Sequence, residues 1–307
     1  MTIERKLLGT SPSGGATDVA DVFSTYVYKG TGASSQTVTN GIDLAGKGGI
    51  VWVKERTRAN DHVIFSTTMG PTNMQRVKTD AMESVGTSVF QSFNSNGFTT
   101  GNWGGTGASG YDYASWTFRK KEKFFDVVTY TGNGTSQVIS HSLNQEIGMM
   151  LIKRTSETGG WAVYHKSLGT GKYLELSASY VQQNSSSHWS SVGTTSFTVG
   201  TEHDTNKSGA SYVAYLFADN SAEDAEEQMI KCGIWTETSG TVDIDLGWEP
   251  QFILHKPSSA AGGANWVLFD SMRGLHPIDE TDAGLAPNTS DTEANINLLG
   301  ITATGFK

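Results

Sequence analysis

Short stretches in which apolar and polar residues alternate recur along the whole chain, separated by turn-forming residues. Val242, Ile244 and Leu246 alternate with Asp243 and Asp245, the period of two that gives a strand one dry face and one wet face. Ala114, Trp116 and Phe118 share a face of another such stretch, and Val213, Tyr215 and Phe217 share a face of a third. Trp161 with Val163, and Trp266 with Leu268, repeat the spacing. Runs such as Gly159-Gly160 and the Ser/Ala/Gly segment 258–263 read as turns and loops. No long helical periodicity is present. Residues 221–228 are the one stretch suited to a turn or two of exposed helix.

The pattern also repeats on a larger scale. Ile50-Val51-Trp52-Val53-Lys54 recurs as Met149-Met150-Leu151-Ile152-Lys153 and as Phe252-Ile253-Leu254-His255-Lys256. Phe98 follows Lys54 by 44 residues, and Phe197 follows Lys153 by the same 44. Tyr113–Phe118 then matches Tyr212–Phe217, each 15 residues beyond that phenylalanine. Several anchors at constant spacing mark a repeat of roughly 100 residues.

In the third copy Phe306 matches Phe98, but the third Tyr-x-x-Trp/Tyr-x-Phe strand is missing. Two readings stay open: the copy is truncated, or its last strand comes from elsewhere, such as a neighbouring subunit, because an unpaired sheet edge seeks a partner. The expected fold is therefore all-β, with tandem β-sandwich modules of jelly-roll or lectin-like type, the third incomplete. The expected boundaries are an N-terminal arm at 1–20 and modules at 21–120, 121–220 and 221–307. The arm, with Leu7 and Leu8, reads either as a loose terminus or as a segment that docks on a partner.

Composition agrees with this reading. Glycine is abundant (36) and proline scarce (6) among 307 residues, which suits short strands joined by tight turns. The net charge of −9 disfavours wholesale nucleic-acid coating. The one compact basic run, Arg119-Lys120-Lys121 with Lys123, falls between two copies and reads as a solvated linker. Cys232 is the single cysteine, so no internal disulfide is expected. The first residues lack the apolar core of a signal peptide, and no stretch approaches the ~18 apolar residues of a membrane span. No nucleic-acid partner and no membrane insertion are expected.

Motifs for chemistry are sparse. Metalloprotease, nucleophile-elbow and phosphate-loop signatures are missing, and the glycine-rich segment 101–107 precedes a strand rather than a helix. Asp243 and Asp245 share a strand face without an equivalent pair in the second copy, so they read as exposed edge charges. Glu202-His203-Asp204 with Asn206 reads as a polar turn rather than a cation site. No cofactor, metal or enzymatic activity is expected. Aromatic rings in polar loops are more suggestive. Trp103 and Tyr111 flank the glycine-rich loop, and Trp189 sits in a Ser/Asn-rich one. All three are candidate glycan contacts, since a flat ring stacks on the C–H face of a sugar while nearby amides bond its hydroxyls. The competing reading buries them at sandwich ends. Trp52, Trp116, Trp161 and Trp266 lie within strands and are expected in the core.

Several of these segments resemble a family of structural, tail-fibre-like proteins from marine and cyanobacterial tailed phages. The resemblance rests on residues 1–10, Gly41–Gly46, Val51–Lys54, Ser95–Phe98, Tyr111–Arg119, Lys123–Gly132, Tyr212–Phe217 and Gly247–Leu254. It implies a virion component made in the host cytoplasm, tail-associated and with a role in host attachment. Its implied partners are other virion tail proteins, further copies of itself (a trimer being common among fibres) and a host surface glycan. It carries over no catalytic residue. The competing functions are a stand-alone glycan-binding module and a polysaccharide depolymerase.

Overall fold

The computed structural model describes residues 1–4, 18–225, 227–277 and 281–307. The expected arm therefore lies mostly outside the described residues, Leu7 and Leu8 included. The chain is nearly all β, in several antiparallel sheets, with two four-residue α-helices among the described residues, α1 (Leu44–Lys47) and α2 (His203–Asn206). Of the stretch 221–228, the described residues form turns and bends rather than helix.

After β1 (Thr2–Glu4), the first set of strands is β2 (Phe23–Lys29), β3 (Gln36–Thr39), β4 (Gly49–Glu55), β5 (Val63–Ser66), β6 (Asn73–Arg76), β7 (Glu83–Ser84), β8 (Phe90–Asn94), β9 (Gly97–Thr100) and β10 (Asp112–Arg119). The second is β11 (Phe125–Thr131), β12 (Gln137–Ser140), β13 (Ile147–Arg154), β14 (Trp161–His165), β15 (Lys172–Glu175), β16 (Gln183–Asn184), β17 (Trp189–Val192), β18 (Ser196–Val199) and β19 (Ser211–Ala218). The third is β20 (Ile230–Lys231), β21 (Ile244–Asp245), β22 (Pro250–His255), β23 (Val267–Asp270), β24 (Asp282–Gly284), β25 (Ala294–Ile296), β26 (Ile301–Thr302) and β27 (Gly305–Phe306).

The first two sets share one topology. Six strands run in the order β2-β10-β4-β5-β6-β7 and β11-β19-β13-β14-β15-β16, and smaller sheets run β3-β9-β8 and β12-β18-β17. The third set gives β20-β1-β22-β23 and β21-β27-β26. The N-terminal strand thus holds the place in the third sheet that β10 and β19 hold in the first two. Its register agrees: Ile3 pairs with Phe252 and Ile230, as Phe118 pairs with Ile50 and Phe23, and Phe217 with Met149 and Phe125. In the third sheet residues 2–4 stand at the register positions of Thr117–Arg119 and of Leu216–Ala218.

Alternation along these strands sorts side chains into two environments. In the first set Val51, Val53, Val63, Phe65 and Tyr113 pack against Val38, Phe90 and Phe98 of the smaller sheet, which makes a sandwich-like pair of layers. The opposite face, with Ile50, Trp52, Ile64, Trp116 and Phe118, joins residues of the other two sets in one large core. Phe118 is central there, with ring centroids 4.8 Å from Phe23, 5.3 Å from Phe217 and 5.8 Å from Phe252. Trp52, Trp116 and Trp161, all within strands, and Trp266, just before β23, are buried in this core. Each of the three sheets therefore has one face turned to the other two sets, which explains why β10 and β19 read as almost unbroken runs of buried residues.

Polar groups tie the sets together in the same cyclic sense. Trp161 Nε1 of the second set donates to Arg76 O of the first at 3.0 Å. Trp266 Nε1 of the third donates to Glu175 O of the second at 2.8 Å. Trp116 Nε1 of the first donates to Asp270 Oδ2 of the third at 3.0 Å. The basic run starts on the last residue of β10, Arg119, and leads into a tight turn: Lys123 adopts φ 60°, and Lys120 pairs with Asp126 at 2.8 Å.

Candidate functional site

The glycine-rich loop of the first set is held by two tyrosines. Tyr113 OH donates to Gly104 O at 2.8 Å, and Tyr28 OH donates to Thr106 O at 2.7 Å, with the two rings stacked at 5.1 Å. Thr106 Oγ1 donates to Val89 O at 2.7 Å and anchors the loop from below. The loop is thereby a fixed platform rather than a free excursion. Trp103 lies at its start, half-buried, with its ring folded over Gly105; a Cβ on that glycine would meet the indole at 2.0 Å.

Both expected aromatic contacts of this loop carry an arginine. Arg58 sits 3.3 Å over the Tyr111 ring and reaches Gly104 O at 3.3 Å, while Arg76 lies 5.4 Å from the Trp103 ring. Such guanidinium–ring pairs contribute about 0.5–2 kcal/mol each and hold the rings in place. The arginines are in turn fixed by acids. Arg76 pairs with Asp61 at 3.1 Å and with Glu83. Arg58 pairs with the buried Glu55, which also accepts from the backbone N–H groups of Thr57 and Arg58 and from the side chains of Thr57 and Asn60. Burial works against the Glu55 charge, but these hydrogen bonds outweigh it and hold the carboxyl below its usual range.

The second set preserves the frame and discards the site. Tyr212 OH donates to His203 O, Tyr130 OH to Thr205 O and Thr205 Oγ1 to His188 O, matching the first set bond for bond. The places of Trp103 and Tyr111, however, hold Glu202 and Ala210, as the matching loop bonds show. In the Glu202–Asn206 segment, Asn206 is committed to Asn133, Thr135 O and Gly200 O, and Arg154 to His203 O. The described residues contain no group of three His, Cys, Asp or Glu side chains placed to hold a metal ion.

Trp189 needs correction as a glycan contact. It is 1% exposed and packs edge-on against Tyr164 at 5.7 Å. The register of β17, which sets Trp189 opposite Val199, turns it inward, while its neighbour His188 stacks on Tyr173 at 3.9 Å. Of the three candidates, the structure brings Trp103 and Tyr111 to one loop and buries the third.

A family model described as a domain of unknown function, DUF7483, matches residues 18–307. The chain belongs to the DUF7483 family. No curated protein and no solved structure matches it. The DUF7483 match begins after β1, so the strand between β20 and β22 lies outside it.

One further set of residues in this DUF7483 chain was legible only as spacing. Lys54, Lys153 and Lys256, the repeated lysines, each send the ammonium to main-chain carbonyls at a junction between sets. Lys153 Nζ donates to Gly159 O at 2.6 Å and to Lys78 O of the first set at 3.1 Å. Lys256 Nζ donates to Ala264 O and to Ser179 O of the second set at 2.9 Å. Lys54 Nζ donates to Glu55 O at 2.7 Å and to Ser290 O of the third set at 3.3 Å. Burial pushes all three down to about 8. Their geometry is that of internal clamps.

Proposed function

We propose that this chain is a structural component of a tailed-phage virion, tail-associated as a fibre or appendage, with a role in host attachment. In this reading each set of strands is a jelly-roll or lectin-like β-sandwich module, and the protein works as a homo-oligomer alongside other tail proteins. The observation that carries it is the use made of the polar side chains. Indole N–H groups, buried lysines and the Arg56–Glu293 pair between the first and third sets are spent joining three sets of strands into one body, as a load-transmitting particle component requires. The resemblance of the sequence segments to tail-fibre-like phage proteins supports the same reading.

The surface that would meet the host is the Trp103–Tyr111 loop. Its rings are pre-positioned for a saccharide, held by arginines whose charges are already met by Glu55, Asp61 and Glu83. Mass spectrometry of density-purified particles of the source virus tests the virion role. Peptides from this chain at a fixed copy number per particle support it; their absence from infectious particles overturns it and leaves the stand-alone glycan-binding module in front. Size-exclusion chromatography with light scattering tests the oligomer.

A further inference from the structure

The first two sheets each end at a junction with a neighbouring set, and the two junctions are built from matching residues. Tyr113 pairs with Tyr28 as Tyr212 pairs with Tyr130, so Lys29 and Asp112 stand where Thr131 and Ser211 stand. Arg56 N donates to Asp112 O at 2.8 Å and Thr155 N to Ser211 O at 2.8 Å, which makes Arg56 and Thr155 equivalent. The opposing walls match as well. Glu293 N donates to Arg56 O at 2.9 Å, and Met82 N to Thr155 O at 3.1 Å. Ser66 pairs with Ile50 as Asp270 pairs with Phe252, so Met69 and Arg273 occupy the same place in the turns that follow.

The same frame is filled in one junction and open in the other. Between the first and third sets, Arg56 grips Glu293 with two bonds, Nη2 at 2.6 Å and Nε at 2.8 Å, and Arg273 reaches the same carboxylate at 3.0 Å. Lys29 and Asp112 add an outer pair at 3.9 Å. Between the first and second sets, Thr155, Met82 and Met69 take the three charged places, and Thr131 with Ser211 takes the outer pair. Without the ion network a cleft of about 400 Å³ is left, bordered by Thr68, Met69, Thr129, Thr131, Thr155 and Ser211.

The lining decides what such a cleft can hold. None of these side chains is charged, so an ionic ligand would lose water without gaining a counter-charge. Thr68, Thr129, Thr131 and Ser211 are exposed, and their hydroxyls make no hydrogen bond within the protein among the described residues. Each hydroxyl can donate one bond and accept two, which suits a ligand carrying donors and acceptors side by side. Thr129 and Thr131 alternate with Tyr130 on β11 and therefore share a face, with Thr131 opposite Ser211 on β19. Threonine methyl groups and Met69 supply apolar surface between the hydroxyls. Tyr130 and Tyr212, on the inner side, have given their hydroxyls to Thr205 O and His203 O and present carbon only.

We propose that this cleft binds one residue of a neutral saccharide, its hydroxyls bonded to Thr68, Thr129, Thr131 and Ser211 and its C–H face set on Met69. The volume lies in the range of small-molecule sites, roughly 300–1,000 Å³. The site shares no lining residue with the Trp103–Tyr111 loop and depends neither on that loop nor on the virion reading. A few hydrogen bonds in an open cleft correspond to a Kd on the order of millimolar, read in solution rather than on a washed array.

The test is an NMR titration of the ¹⁵N-labelled full chain with glucose, galactose and N-acetylglucosamine, and with glucuronate and galacturonate as charged counterparts. The expected result is saturable shifts at the amides of Thr129, Thr131 and Ser211 with at least one neutral sugar, and at least about tenfold weaker binding of the uronates. Thr129→Val combined with Thr131→Val exchanges hydroxyls for methyls at exposed strand positions and keeps the β-branching, so the fold is retained and binding weakens at least about tenfold. Thr155→Arg with Met82→Glu copies the Arg56–Glu293 pair into the cleft and abolishes the shifts, whereas Trp103→Ala leaves them unchanged. No saturable shift with any neutral sugar up to about 100 mM overturns the proposal. So do uronates that bind as well as the neutral sugars, unchanged binding to either double variant, or loss of the shifts in Trp103→Ala.

Discussion

Met1 and Leu254 exchange both of their backbone hydrogen bonds, Met1 N donating to Leu254 O at 3.0 Å and Leu254 N to Met1 O at 2.8 Å. The pair joins the start of the chain to its last sheet. Ile3, next on the same strand but one, is fully buried between Ile230 and Phe252. Ile3→Ala is therefore expected to lower the stability of the whole chain by about 2–5 kcal/mol, as for a core aliphatic. Urea denaturation followed by tryptophan fluorescence measures it; a change within error would mean that β1 is not part of the folded core.

The two loop tryptophans of the sequence reading should behave oppositely. Trp189→Ala empties a buried site and is expected to cost about 3–5 kcal/mol. Trp103→Ala removes a half-buried ring and is expected to leave the fold intact while weakening glycan binding on an array by at least about tenfold, near 1.4 kcal/mol. Glycan binding that survives Trp103→Ala would remove that loop from the attachment surface.

Much of the architecture was legible because the repeat anchors are themselves neighbours in space. Val51–Lys54 and Tyr113–Phe118 are adjacent strands of one sheet, so their spacing encodes a pairing. The third strand of that kind was not legible. Ile3 shares neither the aromatic pattern of Phe118 and Phe217 nor their position in the repeat, and a three-residue strand carries too little periodicity to be recognised. Trp189 looked exposed because its loop is rich in serine, whereas its burial depends on the register of β17. The arginines over Trp103 and Tyr111 come from strands and turns 27 and 53 residues earlier in sequence, and no local pattern points to them.

Acid should loosen the structure before carboxylates titrate. Burial holds His62 well below 6.5 and His165 and His255 down to about 4. The unfolded chain then binds more protons than the folded one between about pH 6.5 and 4, so stability is present above 6.5 and lost as pH falls through that window. His62 adds a structural reason: its Nδ1 accepts from Trp52 Nε1 at 3.0 Å, which protonation forbids. The urea midpoint should drop between pH 7 and pH 4.5; a midpoint that holds or rises would contradict this account.

The clamp lysines work in the other direction. With folded values near 8 against an ordinary 10.5, the unfolded chain binds more protons between those limits, so their contribution to stability rises as pH is raised from 8 toward 10.5. Lys153→Met should still destabilise at pH 7, by roughly 1–3 kcal/mol, because Gly159 O and Lys78 O lose their donor. Thermal unfolding of the wild-type chain and the variant at pH 7 and 9.5 separates the two effects. A variant as stable as the wild type at pH 7 would show that the clamp is dispensable.

The claim on which the whole arrangement rests is that the N-terminal strand pairs between β20 and β22 in the third sheet. Hydrogen exchange at the Leu254 amide, in the full chain and in one lacking residues 1–4, tests it most directly. The predicted result is strong protection in the full chain, comparable to that of the neighbouring core strands, and loss of at least about two orders of magnitude in the shortened one. A Leu254 amide that exchanges equally fast in both would contradict the pairing of β1 with β22.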